Sequence, residues 1–202
     1  MNRNLLLLAL PFVAACSQAD EPPAAEMPTL HAVMLNEVDA NADALWDVTN
    51  AAIGDEGGLD PAKLDDAHWL KIAELADKVS AGATKIAAMD PIVAAPAGTA
   101  IGDSNIVGGH SAAQVQAFID RDPAGLRALA EALGTHTANL AAAARAHDAA
   151  TAGPLIDALD QVCESCHLEY WYPEQAEEVR QLANSGVTIA DHPALLPKPA
   201  AK

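Results

Sequence analysis

Apolar residues recur three or four positions apart through most of the chain, and no strict alternation of apolar and polar residues persists. This spacing predicts amphipathic helices and no sheet. The first helix is predicted from Pro28–Thr29 to about Ile53. A short break is expected near residues 39–41, where Asp39 or Asn41 would cap a second segment.

The second predicted helix begins near Asp60–Pro61 or Asp65 and runs to Met89, where Asp90–Pro91 stops it. Residues 91–110 follow, rich in Gly, Pro and Ala and almost uncharged. A connection of this length is unusual in a compact domain. We therefore expect it to be either a crossover loop or a segment that covers a site.

A short third helix is predicted from the capping-box spacing of Ser111 and Gln114, and it runs through Ile119. Asp122–Pro123 then begins a longer helix to about Ala149, because Asp caps helices and Pro suits the first turn.

The last predicted helix begins at Thr151, with Pro154 in its first turn, and ends at Tyr172 before Pro173. Hydrophobic residues make up 51% of the chain but aromatic residues only 3%, since much of the apolar content is Ala. Small side chains suit closely packed helices. The four principal helices predict an all-α fold, an antiparallel four-helix bundle over residues 29–183.

The N-terminus is typical of a secretory signal. A weakly basic start leads into an apolar run at Leu5–Ala15, too short to span a bilayer. Val13–Cys16 resembles the bacterial lipobox, which implies a signal peptide over residues 1–15 and lipidation of Cys16 with three acyl chains. The alternative is plain signal cleavage with an incidental Cys. Residues 16–28 are polar and Pro-rich, and we expect them to form a flexible tether.

The chain carries 28 Asp and Glu against 11 Lys and Arg, a formal net charge of −17. This charge excludes ordinary nucleic-acid binding and favours protein partners that are basic at the contact. No Ser/His/Asp or Cys/His nucleophile arrangement and no phosphate loop are detectable, so no enzymatic activity is predicted. The tail, residues 184–202, is expected to be irregular.

The most specific motif lies on the last predicted helix. Cys163 and Cys166 are followed by His167, which is the Cys-x-x-Cys-His attachment sequence of c-type haem. Positions i, i+3 and i+4 share one helix face. Each thiol can therefore form a thioether with one haem vinyl group, and the imidazole can bind the iron.

Two alternatives use the same cysteines without haem. A redox or structural disulfide is possible, but such motifs usually begin a helix after a strand, and no strand is predicted. A zinc site needs about four ligands, and no second Cys pair or His pair lies at ligand spacing. The haem interpretation is favoured, with a haem-free disulfide-containing lipoprotein as the alternative.

These motifs resemble class II c-type cytochromes, the cytochrome c-prime fold. Cys163–Pro173 is similar to the haem helix of a bacterial subgroup, and Thr29–Met34 with Val38–Asp39 and Trp46 is similar to that subgroup's first helix. The resemblance implies one covalent haem on the C-terminal helix. Residues 91–110 match no part of it.

The resemblance also implies that Met34 is the second axial ligand, giving six-coordinate low-spin iron suited to electron transfer. Without the resemblance, Met34 reads as an ordinary core residue on an apolar stripe. If no Met binds the iron, the site would be five-coordinate and would bind nitric oxide or carbon monoxide. His31, one turn earlier, is an alternative ligand, and Met89 is a further one.

The remaining candidates fall into two groups. Trp46, Trp69, Tyr170, Trp171 and Tyr172 are expected on the haem edge or in the core. The other histidines show no ligand spacing and are expected at the surface; they are His68, His110, His136, His147 and His192.

Together these patterns predict a lipid-anchored, monohaem cytochrome that exchanges single electrons with redox proteins in the periplasm. Ser17 after the lipidated Cys favours the outer membrane by analogy with known sorting rules. A homodimer is possible by analogy with family members.

Overall fold

The computed structural model describes residues 27–55, 57–106 and 108–184. The predicted signal peptide, Cys16 and its lipidation, most of the tether, His192 and the C-terminal tail lie outside the described residues.

Regular structure in the described ranges is helical, and the one isolated β-bridge there pairs Ile53 with Leu59. The helices are α1 (Leu30–Val33), α2 (Ala40–Asn50), α3 (Asp66–Ala87), α4 (Ala112–Ile119), α5 (Pro123–Arg145), α6 (Ala149–Cys166) and α7 (Gln175–Asn184). A 3₁₀ turn spans Pro61–Lys63, and π-helical segments span Met34–Asp39 and His167–Trp171.

Four helical arms form the bundle. The first runs without interruption through α1, the first π-helical segment and α2. The second and third are α3 and α5, and the fourth is α6 with its π-helical extension. α3 packs against α5 and the first arm, and α5 packs against α6. The predicted all-α four-helix bundle is confirmed.

The predicted break at residues 39–41 is wrong. Asp39 has helical dihedral angles and makes no capping hydrogen bond with its side chain. The chain widens into a π-helical turn instead. The side-chain amides of Asn36 and Asn41 each donate to the carbonyl four residues earlier, both at 2.7 Å. The two amides thus bond backbone carbonyls at either end of the widened turn. The helix continues through the turn, and no cap ends it there.

Most predicted helix starts carry the expected caps. Asp65 and Ser111 form capping boxes with His68 and Gln114, and Asp122 caps α5. α6 begins two residues before the predicted Thr151, because Asp148 accepts from the Thr151 N–H at 3.2 Å and caps the helix.

One helix ends earlier than predicted, and one helix was not predicted at all. α5 ends at Arg145, short of Ala149, because His147 adopts a left-handed conformation (φ 53°) that no helix continues through. α7 was not predicted from the sequence. Apolar residues recur every three positions there, at Ala176, Val179 and Leu182, but the run is short and most of its residues are polar.

Residues 91–110 connect α3 with α4, and Ile92, Ala94 and Ile101 in this connection are buried in the core. It is therefore a packed crossover. Gly102 and Asp103 of this connection also line the cavity described next.

Candidate haem-binding site

The Cys-x-x-Cys-His motif lies at the C-terminal end of the fourth arm. Cys163 and Cys166 occupy the last turn of α6, and His167 begins the second π-helical segment. Both cysteines are free thiols and half-buried. The His167 Nδ1 atom lies 3.3 Å from the Glu164 carboxylate, and 38% of the His167 side chain is exposed.

These three side chains line a cavity of about 540 Å³ whose far wall is the first arm. Met34 and His31 line the same cavity, and both are partly buried. Met34, the predicted second axial ligand, lies 129 to 133 positions before the motif in the sequence. The structure brings it into one cavity with Cys163, Cys166 and His167.

The inner surface of the cavity is apolar. Side chains from the first arm, α3 and α5 contribute to it, namely Leu30, Val38, Ile86, Leu126, Ala130 and Leu133. All six are buried in the same hydrophobic core. A flat apolar cofactor could pack against them and complete the core of a chain that has few aromatic residues.

Burial controls the chemistry of the two thiols. Desolvation, with smaller contributions from Asp160 and Asp39, raises the pKa of Cys163 to about 12. Desolvation also raises the pKa of Cys166 to about 12. Both side chains are therefore neutral thiols at physiological pH. Among the described residues, no three His, Cys, Asp or Glu side chains are grouped to hold a metal ion.

The rim of the cavity is acidic. Five lining residues are carboxylates, and they are Asp39, Asp43, Asp103, Asp160 and Glu164. In the part of the chain that the structure describes, no Lys or Arg lines the cavity. Burial raises the pKa of Asp39, an effect that His167 partly offsets. Any partner that approaches this opening meets a negative surface.

The aromatic residues after His167 belong to the site. Tyr170, Trp171 and Tyr172 all line the cavity. Tyr170 is also buried in the core, and its hydroxyl donates to the Asp122 carbonyl at 2.8 Å. The Tyr172 ring meets the His167 ring edge-on, with centroids 6.3 Å apart.

The other aromatic and Met candidates differ in whether they line the cavity. Trp46 lines the cavity, whereas Trp69 stacks on His147 with ring centroids 5.6 Å apart. Met89 is buried in the core but does not line the cavity, so the structure does not support it as an iron ligand. Met27 is 62% exposed.

The prediction of surface positions fails for one histidine. His110 is buried, packs edge-on against Phe118 and places Nδ1 2.8 Å from the Trp171 carbonyl. Its Nε2 atom lies 3.3 Å from Glu174. Burial here depends on the crossover connection folding back onto the second π-helical segment, a contact that no local pattern indicates.

His68 and His147 are partly exposed, and His136 is half-buried with Nε2 2.7 Å from the Leu155 carbonyl. Sequence reasoning also missed Gly102 and Asp103, which line the cavity from residues 91–110. Only the length and low charge of that connection signalled that it could cover a site.

The residues present fit a covalently attached haem. Two thiols and an imidazole share one helix face beside an apolar cavity, which is the donor set that c-type haem attachment needs. A helical bundle that carries this motif near its C-terminal end defines a c-type cytochrome of the four-helix class.

The sequence model described as Cytochrome C' matches residues 70–171, half of the chain. The chain therefore belongs to the cytochrome C' family. Membership implies covalently bound haem c, and family members are typically periplasmic. The haem-free lipoprotein gains no support.

No curated protein and no solved structure matches the chain. Within the described ranges, no helix is both long and apolar enough to cross a bilayer.

Proposed function

We propose that this chain is a single-electron carrier with one haem, which Cys163 and Cys166 hold covalently and His167 and Met34 bind axially. The observation that carries the proposal is the placement of Met34, from the first arm, in the cavity that the Cys-x-x-Cys-His motif lines. A haem iron supplies one-electron chemistry, passing between ferric and ferrous states.

The side chains would divide the work. The neutral Met34 thioether is a soft donor, and a Met ligand raises the reduction potential relative to a second His. His167 would bind through Nε2, because its Nδ1 faces Glu164. The apolar side chains of α3 and α5 would keep water from the buried side of the cavity.

The acidic rim would set the kind of redox partner. Five carboxylates line the cavity, and none of its described lining residues is Lys or Arg, so the partner would present Lys or Arg around its own electron-transfer edge. We also propose that Cys16 carries the lipid anchor. Acyl chains located on Cys16 by peptide mass would establish the anchor, and an unmodified N-terminal peptide would refute it.

A five-coordinate gas-binding site is the second candidate. The apolar Leu30, Leu35 and Val38 side chains line the cavity beside Met34 and could form an iron face without a ligand. The two candidates differ in spin state and in the response of the ferrous protein to carbon monoxide.

The electron-carrier proposal is tested with two Met→Leu variants, since this exchange removes the sulfur and nearly preserves volume. Met34→Leu should change the low-spin spectrum of the holoprotein to high spin and allow rapid carbon monoxide binding. Met89→Leu, at a buried Met outside the cavity, should leave the spectrum unchanged.

His31→Ala separates the two possible ligands on the first arm. If Met34 binds the iron, His31→Ala remains low spin. A high-spin His31→Ala protein together with a low-spin Met34→Leu protein would assign the ligand to His31. A wild-type protein that is already high spin would favour the gas-binding candidate.

A further inference from the structure

Residues 92–103, which we call the strap, supply part of the N-terminal cap of α1. The Leu30 N–H donates to the Val93 carbonyl at 2.8 Å, and the His31 N–H donates to the Ala94 carbonyl at 2.9 Å. A helix leaves its first four N–H groups without partners. The Ala32 N–H, a third such group, donates to the side-chain oxygen of Thr29 at 3.3 Å. The turn that leads to the predicted axial ligand thus depends on a segment about 60 residues away.

The other end of the strap is bonded to the residues that follow His167. The Trp171 indole N–H donates to the Gly102 carbonyl at 3.4 Å, and the Tyr172 hydroxyl donates to the Asp103 carboxylate. Gly102 and Asp103 also line the cavity. The strap therefore joins the two helical turns that face each other across the site.

The strap is anchored to the body of the protein between these contacts. Ile92 and Ile101 are buried in the core. The Gln116 side chain donates to the Ile92 carbonyl at 3.0 Å and accepts from the Ala94 N–H at 2.7 Å. One side chain on α4 thus fixes the position of the carbonyls that cap α1.

We propose that the strap holds the first turn of α1 closed over the cavity and limits the rate at which small neutral ligands reach the iron on the Met34 side. Gln116 and Tyr172 are positioning residues in this arrangement. The inference rests on the proposed function, because it takes the Met34 side as the distal side of the haem.

Two variants of the holoprotein each remove one attachment of the strap, either to α4 or to the residues after His167. Gln116→Met keeps the length of the side chain without its hydrogen bonds, and Tyr172→Phe removes the hydroxyl. Losing one hydrogen bond of the strap should raise the population of the open state about fivefold. In that state the first turn of α1 is detached from the strap. We expect the Leu30 and His31 amides to exchange about fivefold faster, and carbon monoxide to bind the ferrous protein faster by a similar factor.

Ser80→Ala is the matched control. The Ser80 hydroxyl donates to the Gly134 carbonyl at 2.8 Å, between α3 and α5 and away from the strap. This variant should lose stability without changing carbon monoxide binding. If Gln116→Met does not fold, the conservative Tyr172→Phe decides the question.

Strap variants that match Ser80→Ala in both measurements would overturn the proposal. Faster amide exchange without faster ligand binding would overturn it as well. The spin state of the wild-type protein tests the proposed function separately. The ratio of strap-variant to parent carbon monoxide binding rates is measured in the Met34→Leu background, where no axial Met has to leave the iron before the gas binds.

Discussion

Tyr172 lies five residues after His167, and its hydroxyl bonds to the carboxylate of Asp103. Burial and, to a smaller extent, the hydrogen bond to Asp103 together raise the pKa of Tyr172 to about 12. The pKa of Tyr170 is also raised, mainly by burial. Both hydroxyls therefore stay protonated in the folded protein at pH values where an unfolded chain loses these protons.

This difference predicts an alkaline loss of stability. An unfolded Tyr titrates near pH 10. Above that pH the unfolded chain binds fewer protons than the folded one, so the free energy of unfolding falls as pH rises towards 12. Denaturant unfolding of the holoprotein between pH 9 and 12 should show this fall, and Tyr172→Phe should make it shallower. Equal slopes in the two proteins would mean that Tyr172 does not contribute.

At the scale of helices, two glycines on facing helices mark different distances of approach. A Cβ atom on Gly82 of α3 would lie 2.9 Å from Val38 Cγ2 and 3.3 Å from Glu37 Cβ. A Cβ atom on Gly134 of α5 would have its nearest neighbour, Ala83 Cβ, at 3.6 Å. α3 therefore approaches the π-helical segment that begins at Met34 more closely at Gly82 than it approaches α5 at Gly134.

The two glycines should respond oppositely to alanine. Gly134→Ala should stabilise the protein by about 0.5–1 kcal/mol, because Ala suits a helix interior and the space is sufficient. Gly82→Ala gains the same propensity, but overpacking against the stiff, buried Val38 costs about 1–3 kcal/mol. Thermal or denaturant unfolding measures both. A Gly82→Ala protein as stable as Gly134→Ala would show that the π-helical segment yields easily.

The sequence predicted the helical arms well because their caps and apolar stripes are local. Ser111 and Asp122 were identified as caps from residue type and spacing alone, and Asp65 as one of two possible helix starts. The π-helical segment and the burial of His110 were not predicted. The burial of His110 depends on a contact between distant parts of the chain, that of its ring with the Trp171 carbonyl. The π-helical segment instead accompanies the local hydrogen bonds of Asn36 and Asn41.

The candidate site divides in the same way. Cys163, Cys166 and His167 follow from the spacing of one motif, whereas Met34 required the resemblance to known cytochromes. Gly102 and Asp103 could not be placed at all, since residues 91–110 carry neither periodicity nor a recognisable motif.

For the molecule as a whole, charge determines how other molecules approach. The formal net charge is −17, and the cavity opening is lined by carboxylates without Lys or Arg. The described lysines are engaged elsewhere, for example Lys78 with Glu74 and Lys85 with Glu37. Among the described residues, no Lys or Arg therefore neutralises the negative field at the opening, where the proposed electron carrier would exchange electrons.

Small redox reagents of opposite charge test this field. At low salt, a cationic hexaammineruthenium reagent should react faster with the haem than it does at high salt, where charges are screened. An anionic ferricyanide reagent should react more slowly at low salt than at high salt. Both deviations should shrink as salt is added, because the Debye length falls to about 3 Å at 1 M. Stopped-flow rates against ionic strength provide the measurement. Salt dependences of the same sign for both reagents would rule out steering by the rim.

The most direct test of the account is the mass of the peptide that contains residues 163–167, from protein made in cells that mature c-type cytochromes. We predict one haem joined to this peptide through both Cys163 and Cys166. If both thiols are unmodified and react fully with an alkylating reagent, the haem assignment and the electron-carrier function built on it are wrong.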